Sequence, residues 1–293
     1  KLVRFGAFRA ISRPDPADLG FSRSFATQNS IDDEPITNPN DLISNVTANG
    51  SPAIGPLTSW NFDLGFEWYP NADSIFAVGT YFKQFSGDFE NVVQNETFTV
   101  DGVDITRPVS GLQEVTNETS NLWGLEITGS HRFSYLPGYL SGLGVKASYN
   151  HVESDFEFED SLYGDRFVTQ LDGTIVQTNE GIVAPGGLPG LSENVFSGTV
   201  YYQIGDLDLS GIYKYRDNYF QPFTSDGTRL RYIGSVGVLE ARASYKINEN
   251  FRVSVEGINL LDAEKEQFQW VEDNQYEVNS YGPRIFFGVR GRF

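Results

Sequence analysis

The chain has 293 residues, no cysteine and a formal net charge of −18, which excludes a disulfide scaffold and argues against nucleic acid as a partner. Aromatic residues make up 14%, glycines number 30 and only 20% of residues are charged, a balance that favours an all-β chain over an α/β one. No run approaches the roughly 18 apolar residues a transmembrane helix needs, so only strands are left as a way through a membrane. There is no methionine, and the sequence is expected to be a processed product or a fragment.

Period-2 segments lie near 1–12, 58–69, 74–86, 121–135, 141–152, 193–204, 207–218, 236–246, 251–261 and 281–293. Side chains alternate across a strand. Phe62, Leu64, Phe66 and Trp68 therefore oppose Asn61, Asp63, Gly65 and Glu67, and Trp123, Leu125 and Ile127 oppose Gly124, Glu126 and Thr128. The segment at 74–86 is open in phase, since either Phe76/Val78/Phe82 or Ile75/Ala77/Tyr81 can face outward. In the last segment Tyr281, Ile285, Phe287, Val289 and Phe293 share one face, with Arg284, Arg290 and Arg292 on the other.

The connections alternate in length. Pro70-Asn71-Ala72-Asp73, Leu136-Pro137-Gly138, Gly205-Asp206 and Asn248-Glu249-Asn250 carry the residues of tight turns. Between them run long links near 13–57, 87–120, 153–192, 219–235 and 262–280, read as largely without structure of their own. Short turns at one end and long loops at the other mark an outer-membrane barrel, and a globular domain seldom carries so many long links. Aromatics gather near the short turns, among them Trp68, Phe133, Tyr202, Tyr245, Phe251 and Phe293. Rings of this kind prefer a membrane interface, so these are expected to form one lipid-facing girdle.

The wording of the segments resembles the C-terminal half of a TonB-dependent receptor barrel. The phrases are Arg9-Ala10-Ile11-Ser12-Arg13-Pro14, Asn61 through Tyr69, Ala77 through Phe89, Gly124-Leu125-Glu126, Leu188-Pro189-Gly190-Leu191-Ser192, Tyr213 through Asp217, Glu256 through Asp262, and Tyr281 through Phe293. They follow one another in the family's order over nearly the whole chain. The resemblance implies an antiparallel transmembrane β-barrel of about 22 strands, of which this chain supplies about ten at the C-terminal end, without the plug domain. It further implies residence in the bacterial outer membrane and contact with lipid and lipopolysaccharide. The absent plug would link the barrel to TonB and its inner-membrane energising complex. Cargo would be a scarce small molecule, a saccharide first and a siderophore or other chelate next, imported without covalent chemistry. The competing reading is a complete small barrel acting as a surface protease or adhesin.

Candidate functional residues divide by position. Phe158, Tyr163, Tyr219, Phe220, Phe223, Phe268, Trp270 and Tyr276 fall in the long links, where aromatic faces either stack a substrate or pack the loops on each other. Arg216, Arg252, Glu256, Arg284, Arg290 and Arg292 are assigned to the lumen, facing a plug, and Arg231 is expected to point inward with them. No cofactor is expected. Calcium is one reading of the acidic run Asp155, Glu157, Glu159 and Asp160, where clustered carboxylates suit a hard cation. The two histidines, His131 and His151, show no zinc spacing, and no nucleophile elbow or phosphate cradle occurs.

Overall fold

The computed structural model describes all residues except 32–33, 39–40, 53, 87–88, 101, 116–118, 159–162, 170–174, 223–229 and 293. Ten wall strands run β1 (Leu2–Ser12), β2 (Leu57–Asn71), β3 (Ser74–Ser86), β4 (Thr119–Arg132), β5 (Leu143–Ser154), β6 (Asn194–Ile204), β7 (Leu207–Arg216), β8 (Val236–Lys246), β9 (Phe251–Ile258) and β10 (Arg284–Gly291). They form one sheet in simple sequential order, with β1 and β10 at its two ends. The turns after β2, β6 and β8 are tight, and a short 3-10 turn at Gly138–Gly142 precedes β5. No helix among the described residues is long and apolar enough to cross a membrane.

Register decides which side chains share a face. Across β4 to β10 the pairs Ile127↔Tyr149↔Phe196↔Tyr215, Val200↔Gly211↔Ala241↔Gly257↔Ile285 and Tyr202↔Leu209↔Ala243↔Val255↔Phe287 form apolar rows. The opposite face carries Tyr201↔Ser210↔Arg242↔Glu256 and Lys246↔Arg252↔Arg290. In β3 the phase left open by the sequence is resolved. The Tyr81 ring lies on the polar face over Gly124, where an added Cβ would clash with it, and its hydroxyl donates to Asn150 Oδ1 at 3.3 Å. Phe76, Val78 and Phe82 therefore belong to the apolar face, where Phe82 meets Phe62 at 6.5 Å between ring centroids. Tyr201 covers Gly144 in the same way, so on the polar face bulky rings fill the gaps that glycines leave on neighbouring strands.

The described residues divide into two compact units, Lys1–Gly6, Phe62–Phe82 and Asn121–Phe293 in one, and Ala7–Asn61 and Lys83–Ser120 in the other. The second corrects the expectation of structureless links. Segments Arg23–Thr27, Ile43–Ala48, Val103–Val115 and Phe89–Val100 pair in that order as a four-stranded sheet. Its centre is a parallel pairing, Val46↔Val109 and Thr47↔Ser110, over a core of Ile43, Val46, Ala48, Ile105 and Val109. Gly102, at φ +80°, turns the chain between its two longest strands, a conformation that a side chain disfavours.

This loop sheet carries a bidentate ion pair. Arg23 Nη2 and Nε donate to Glu96 at 2.7 and 2.9 Å, with the Arg23 side chain 6% exposed. The hydrogen bond and charge of Arg23 hold the Glu96 carboxyl below its ordinary value. A depressed carboxyl stabilises the fold above its unfolded value of about 4.5 and loses that contribution as pH falls through the folded value. Amide protection factors in 23–27 and 89–100 are therefore expected to fall below about pH 4 in the native chain, while Glu96→Gln should remove that dependence. An acid response unchanged by Glu96→Gln would assign it to other groups.

Candidate functional site

The long links after β7 and β9 build a second outer sheet in the larger unit. Segments Tyr219–Phe220, Arg231–Ile233, Lys265–Gln269 and Gln275–Asn279 pair in that order, all antiparallel. The phrase at the end of β9 sets the entry to this sheet. Asn259 adopts φ 56°, and its side chain closes on Ala263, Oδ1 accepting from the amide at 2.8 Å and Nδ2 donating to the carbonyl at 3.0 Å. Asn tolerates the left-handed region better than most residues, so this side chain both permits and fastens the turn.

The structure splits the candidate aromatics into two sets. Phe220 and Phe268 are 2% and 7% exposed, and their rings belong to a packed stack. Phe158 meets Phe220 at 5.0 Å, Phe220 meets Tyr232 at 5.7 Å, and Tyr232 lies parallel on Phe268 at 5.1 Å and 8°. These rings pack the loops on each other, and burial raises the Tyr232 phenol above its ordinary value. Tyr163 and Tyr276 are exposed and Trp270 half-buried. Tyr163 meets Trp270 edge to face at 4.6 Å. Trp270 sits at φ 62°, a left-handed conformation that is an outlier for so bulky a residue. Its neighbours hold it there, with Gln269 and Asn274 bonding through backbone and side chain across the turn. Phe223 lies outside the described residues.

Between this stack and the top of the wall is a cavity of about 240 Å3, lined among others by Glu193, Asp217, Asn218, Tyr219, Phe220 and Tyr232. Asp217 accepts from the Tyr215 hydroxyl at 2.7 Å and from Asn194 Nδ2 at 2.6 Å, which fixes its carboxylate at the rim. Arg216 was assigned to the lumen, and the structure turns its guanidinium to the loop instead. Nε donates to Ser192 Oγ at 2.6 Å, Nη2 to the Gly190 carbonyl, and the group lies 3.8 Å from the centre of the Tyr219 ring. Arg231 is likewise no wall residue. It bonds the Gln221 and Pro222 carbonyls and Gln267 Oε1 inside the outer sheet.

The other lumen candidates do share the polar face. Arg252 donates to Asp208 Oδ2 at 2.8 Å. Glu256 stands opposite Arg242 and Phe286, Arg284 opposite Ile258, and Arg290 opposite Arg252. Arg242, Arg284 and Arg290 make no ion pair among the described residues. Arg292 follows the end of β10, its amide bonded to the Asn250 carbonyl at 2.9 Å. A polar hollow of about 380 Å3 opens here between Tyr201, Gln203, Asp208, Arg242 and Arg252.

On the apolar face Trp68, Tyr202, Tyr245 and Phe251 stand at the short-turn ends of their strands, and Phe133 follows β4 beside His131, 4.6 Å from its ring. Phe293 lies outside the described residues. A second group at the long-loop end escaped the sequence reading. Trp123 meets His151 at 5.5 Å, and Tyr149 and His151 both bond Asn194 Oδ1, at 2.6 and 3.0 Å. The even spacing of these residues with Leu125 and Ile127 was the available signal. Of the acidic run, Asp155 accepts from the Asn121 backbone and side chain at 2.5 and 2.8 Å, while Glu159 and Asp160 lie outside the described residues.

Sequential antiparallel strands, one apolar and one polar face, aromatic ends and outer loop sheets define the wall of an outer-membrane β-barrel. The model of the TonB dependent receptor-like β-barrel family matches residues 2–260, and the chain belongs to that family of outer-membrane proteins. Among curated proteins no sequence match is found. Solved structures that resemble it include the ferric enterobactin receptor PfeA of Pseudomonas aeruginosa in complex with BCV-L6. That match is at 13% identity and a TM-score of 0.57, over 99% of this chain and 38% of that one. The siderophore receptor PiuA of Acinetobacter baumannii matches at 15% and 0.52, over 87% of this chain and 30% of that one. The copper transporter OprC matches at 14% and 0.52, over 99% and 37%. The likeness is one of fold, and the chain spans well under half the length of each.

Proposed function

We propose that this chain forms the C-terminal wall and part of the outer mouth of a TonB-dependent importer of a scarce small molecule. The observation that carries the reading is the family match over residues 2–260, on a wall whose long links fold into an outer sheet that bears exposed aromatics. Substrate would be captured at the mouth by Tyr163, Trp270 and Tyr276, with Tyr219 at the cavity rim. The polar face, with Arg242, Arg252, Glu256, Arg284 and Arg290, would hold a plug supplied by the rest of the protein. TonB and its inner-membrane complex would then draw on that plug, using the proton gradient, and no covalent step is needed.

The solved structures that resemble it are siderophore receptors and a copper transporter, which favours a metal-bearing cargo over the saccharide expected from the sequence. Family membership likewise favours an importer over a surface protease or adhesin. The wall's apolar face would meet lipid and, in the outer leaflet, lipopolysaccharide. Uptake of a labelled substrate by cells carrying the whole receptor is expected to fall to background when TonB is deleted. Undiminished uptake would overturn the mechanism.

A further inference from the structure

Several wall glycines make room for a neighbour's side chain. Along β4 to β9, Gly124 lies under Tyr81, Gly144 under Tyr201, Gly237 under Tyr213 and Gly257 under Leu260, each so closely that a Cβ would clash. Gly211, in the middle of β7, is different, since an added Cβ there would meet no atom within 4 Å. A glycine inside a strand weakens it and marks a place where another group comes close. Among the described residues no such group is found at Gly211.

Gly211 belongs to the floor of a groove on the apolar face. Register sets it in the row Val200↔Gly211↔Ala241↔Gly257↔Ile285, next to the row Tyr202↔Leu209↔Ala243↔Val255↔Phe287. Gly211, Ala241 and Ala243 make the floor, while Val200, Leu209, Val255 and Ile285 stand exposed around it. Leu260, folded over Gly257, narrows it from the side of β9. The hollow measures about 550 Å3. Past Ala243 and Val255 it runs into a second, of about 320 Å3, bordered by Leu207, Tyr245, Val253 and Phe287. From Ala241 to Tyr245 the trough follows β8 for about 13 Å at the usual rise per residue. That is close to half of a hydrocarbon core of about 30 Å.

The groove is continuous with the face that this outer-membrane wall turns to lipid, so the membrane supplies what enters it. Its depth along one strand suits the chains of a single phospholipid. A second copy of the wall would rest on the exposed rims and leave the floor over Gly211 empty. The short-turn end adds a polar terminus. Tyr202 and Tyr245 border the groove there, and neither phenol has a hydrogen-bond partner among the described residues. Phenol donors at a membrane interface, at the end of an apolar trough, match the ester and phosphate oxygens of a lipid head. Short turns lie on the periplasmic side of such barrels, which assigns the lipid to the periplasmic leaflet.

We infer that the lipid face between β6 and β9 is a binding site for one phospholipid of the periplasmic leaflet. Its chains lie over Gly211, Ala241 and Ala243, and its head oxygens accept from Tyr202 and Tyr245. The site uses only the wall, so it stands independently of the cargo and of the energised mechanism.

The test is native mass spectrometry of the whole receptor, extracted in mild detergent and washed. One phospholipid per receptor is expected to survive the wash. Gly211→Leu fills the open floor and should lower the retained fraction about ten-fold, as expected when roughly two methylenes of the chain are displaced. Gly129→Leu, on the same face in β4 and away from the groove, should leave retention unchanged. Tyr245→Phe removes only a hydroxyl and should lower retention about three-fold or more. The heat-dependent mobility shift of a folded barrel verifies assembly of each variant. No retained lipid, lipopolysaccharide in its place, or retention equal in Gly211→Leu and the native receptor would each overturn the inference. So would retention unmoved by Tyr245→Phe, or a pair of receptors that Gly211→Leu separates.

Discussion

Phe220→Ala is expected to unfold the outer sheet of the larger unit while leaving the wall inserted. The ring is 2% exposed, it contacts Phe158 and Tyr232, and Gly186 packs so closely on it that an added Cβ there would lie 3.2 Å away. Removing a buried phenyl group costs about 3–5 kcal/mol. The sheet it supports has strands of only two to five residues, which cannot replace that loss with backbone pairing. Amide exchange should therefore rise by a hundredfold or more, on the order of the equilibrium change that such a cost implies, in 231–233 and 265–269. Strands β4 to β9 should remain protected, and the heat-dependent shift in electrophoretic mobility of a folded barrel should persist. Protease should now cut at the loops in intact cells. Exchange unchanged in those segments would show that the aromatic stack is not what holds the sheet.

Wall and loops were unequally legible because they are specified at different ranges. A wall strand announces itself in a dozen residues, since lipid on one side and a polar interior on the other impose strict alternation. Phe62, Leu64, Phe66 and Trp68 were readable as one face for that reason, and the segment read near 236–246 coincides with β8 (Val236–Lys246). Where both phases are apolar, as in Phe76 against Ala77, alternation is silent. What decides β3 is Tyr81 settling over Gly124 on the neighbouring strand. The loop sheets depend on partners far apart in sequence. Val46 meets Val109 by a parallel pairing, which no local pattern encodes.

The candidate site shows the same division. That Phe220, Phe268 and Trp270 lay outside the wall was plain from their position. Which rings would be buried depended on β7 and β9 lifting Tyr219–Phe220 and Lys265–Gln269 onto the two sides of Arg231–Ile233. Arg216 illustrates the limit of phase alone. Its Cα occupies the polar face opposite Val195 and Val236, but a long side chain at a strand end can leave that face. Ser192 and the Tyr219 ring draw it to the loop. For Arg252 and Arg290, further down the wall, phase and environment coincide.

Ile127→Arg and Thr128→Arg, one residue apart near the middle of β4, are expected to differ sharply. Register places Ile127 opposite Tyr149 on the apolar face and Thr128 opposite Ser148 on the polar one. A one-residue step in a strand reverses the face, so the same arginine is directed either into hydrocarbon or toward the interior. At the bilayer midplane the lipid-facing arginine costs about 2–4 kcal/mol. The inward one should cost less than about 1 kcal/mol, in line with an exposed polar substitution, with Glu126 two residues away on the same face and Lys146 diagonal to it. Denaturant unfolding of the whole receptor refolded into lipid bilayers should separate the two variants by at least about 2 kcal/mol. Ile127→Arg should also lower the amount assembled in the outer membrane. The comparison holds composition, charge and depth nearly constant, so equal losses in the two variants would mean that the faces assigned here to lipid and lumen are wrong. The reverse order would exchange them, and would move Arg242, Arg252 and Arg290 onto the lipid side, where a row of arginines of which only Arg252 has an ion-pair partner could not stay.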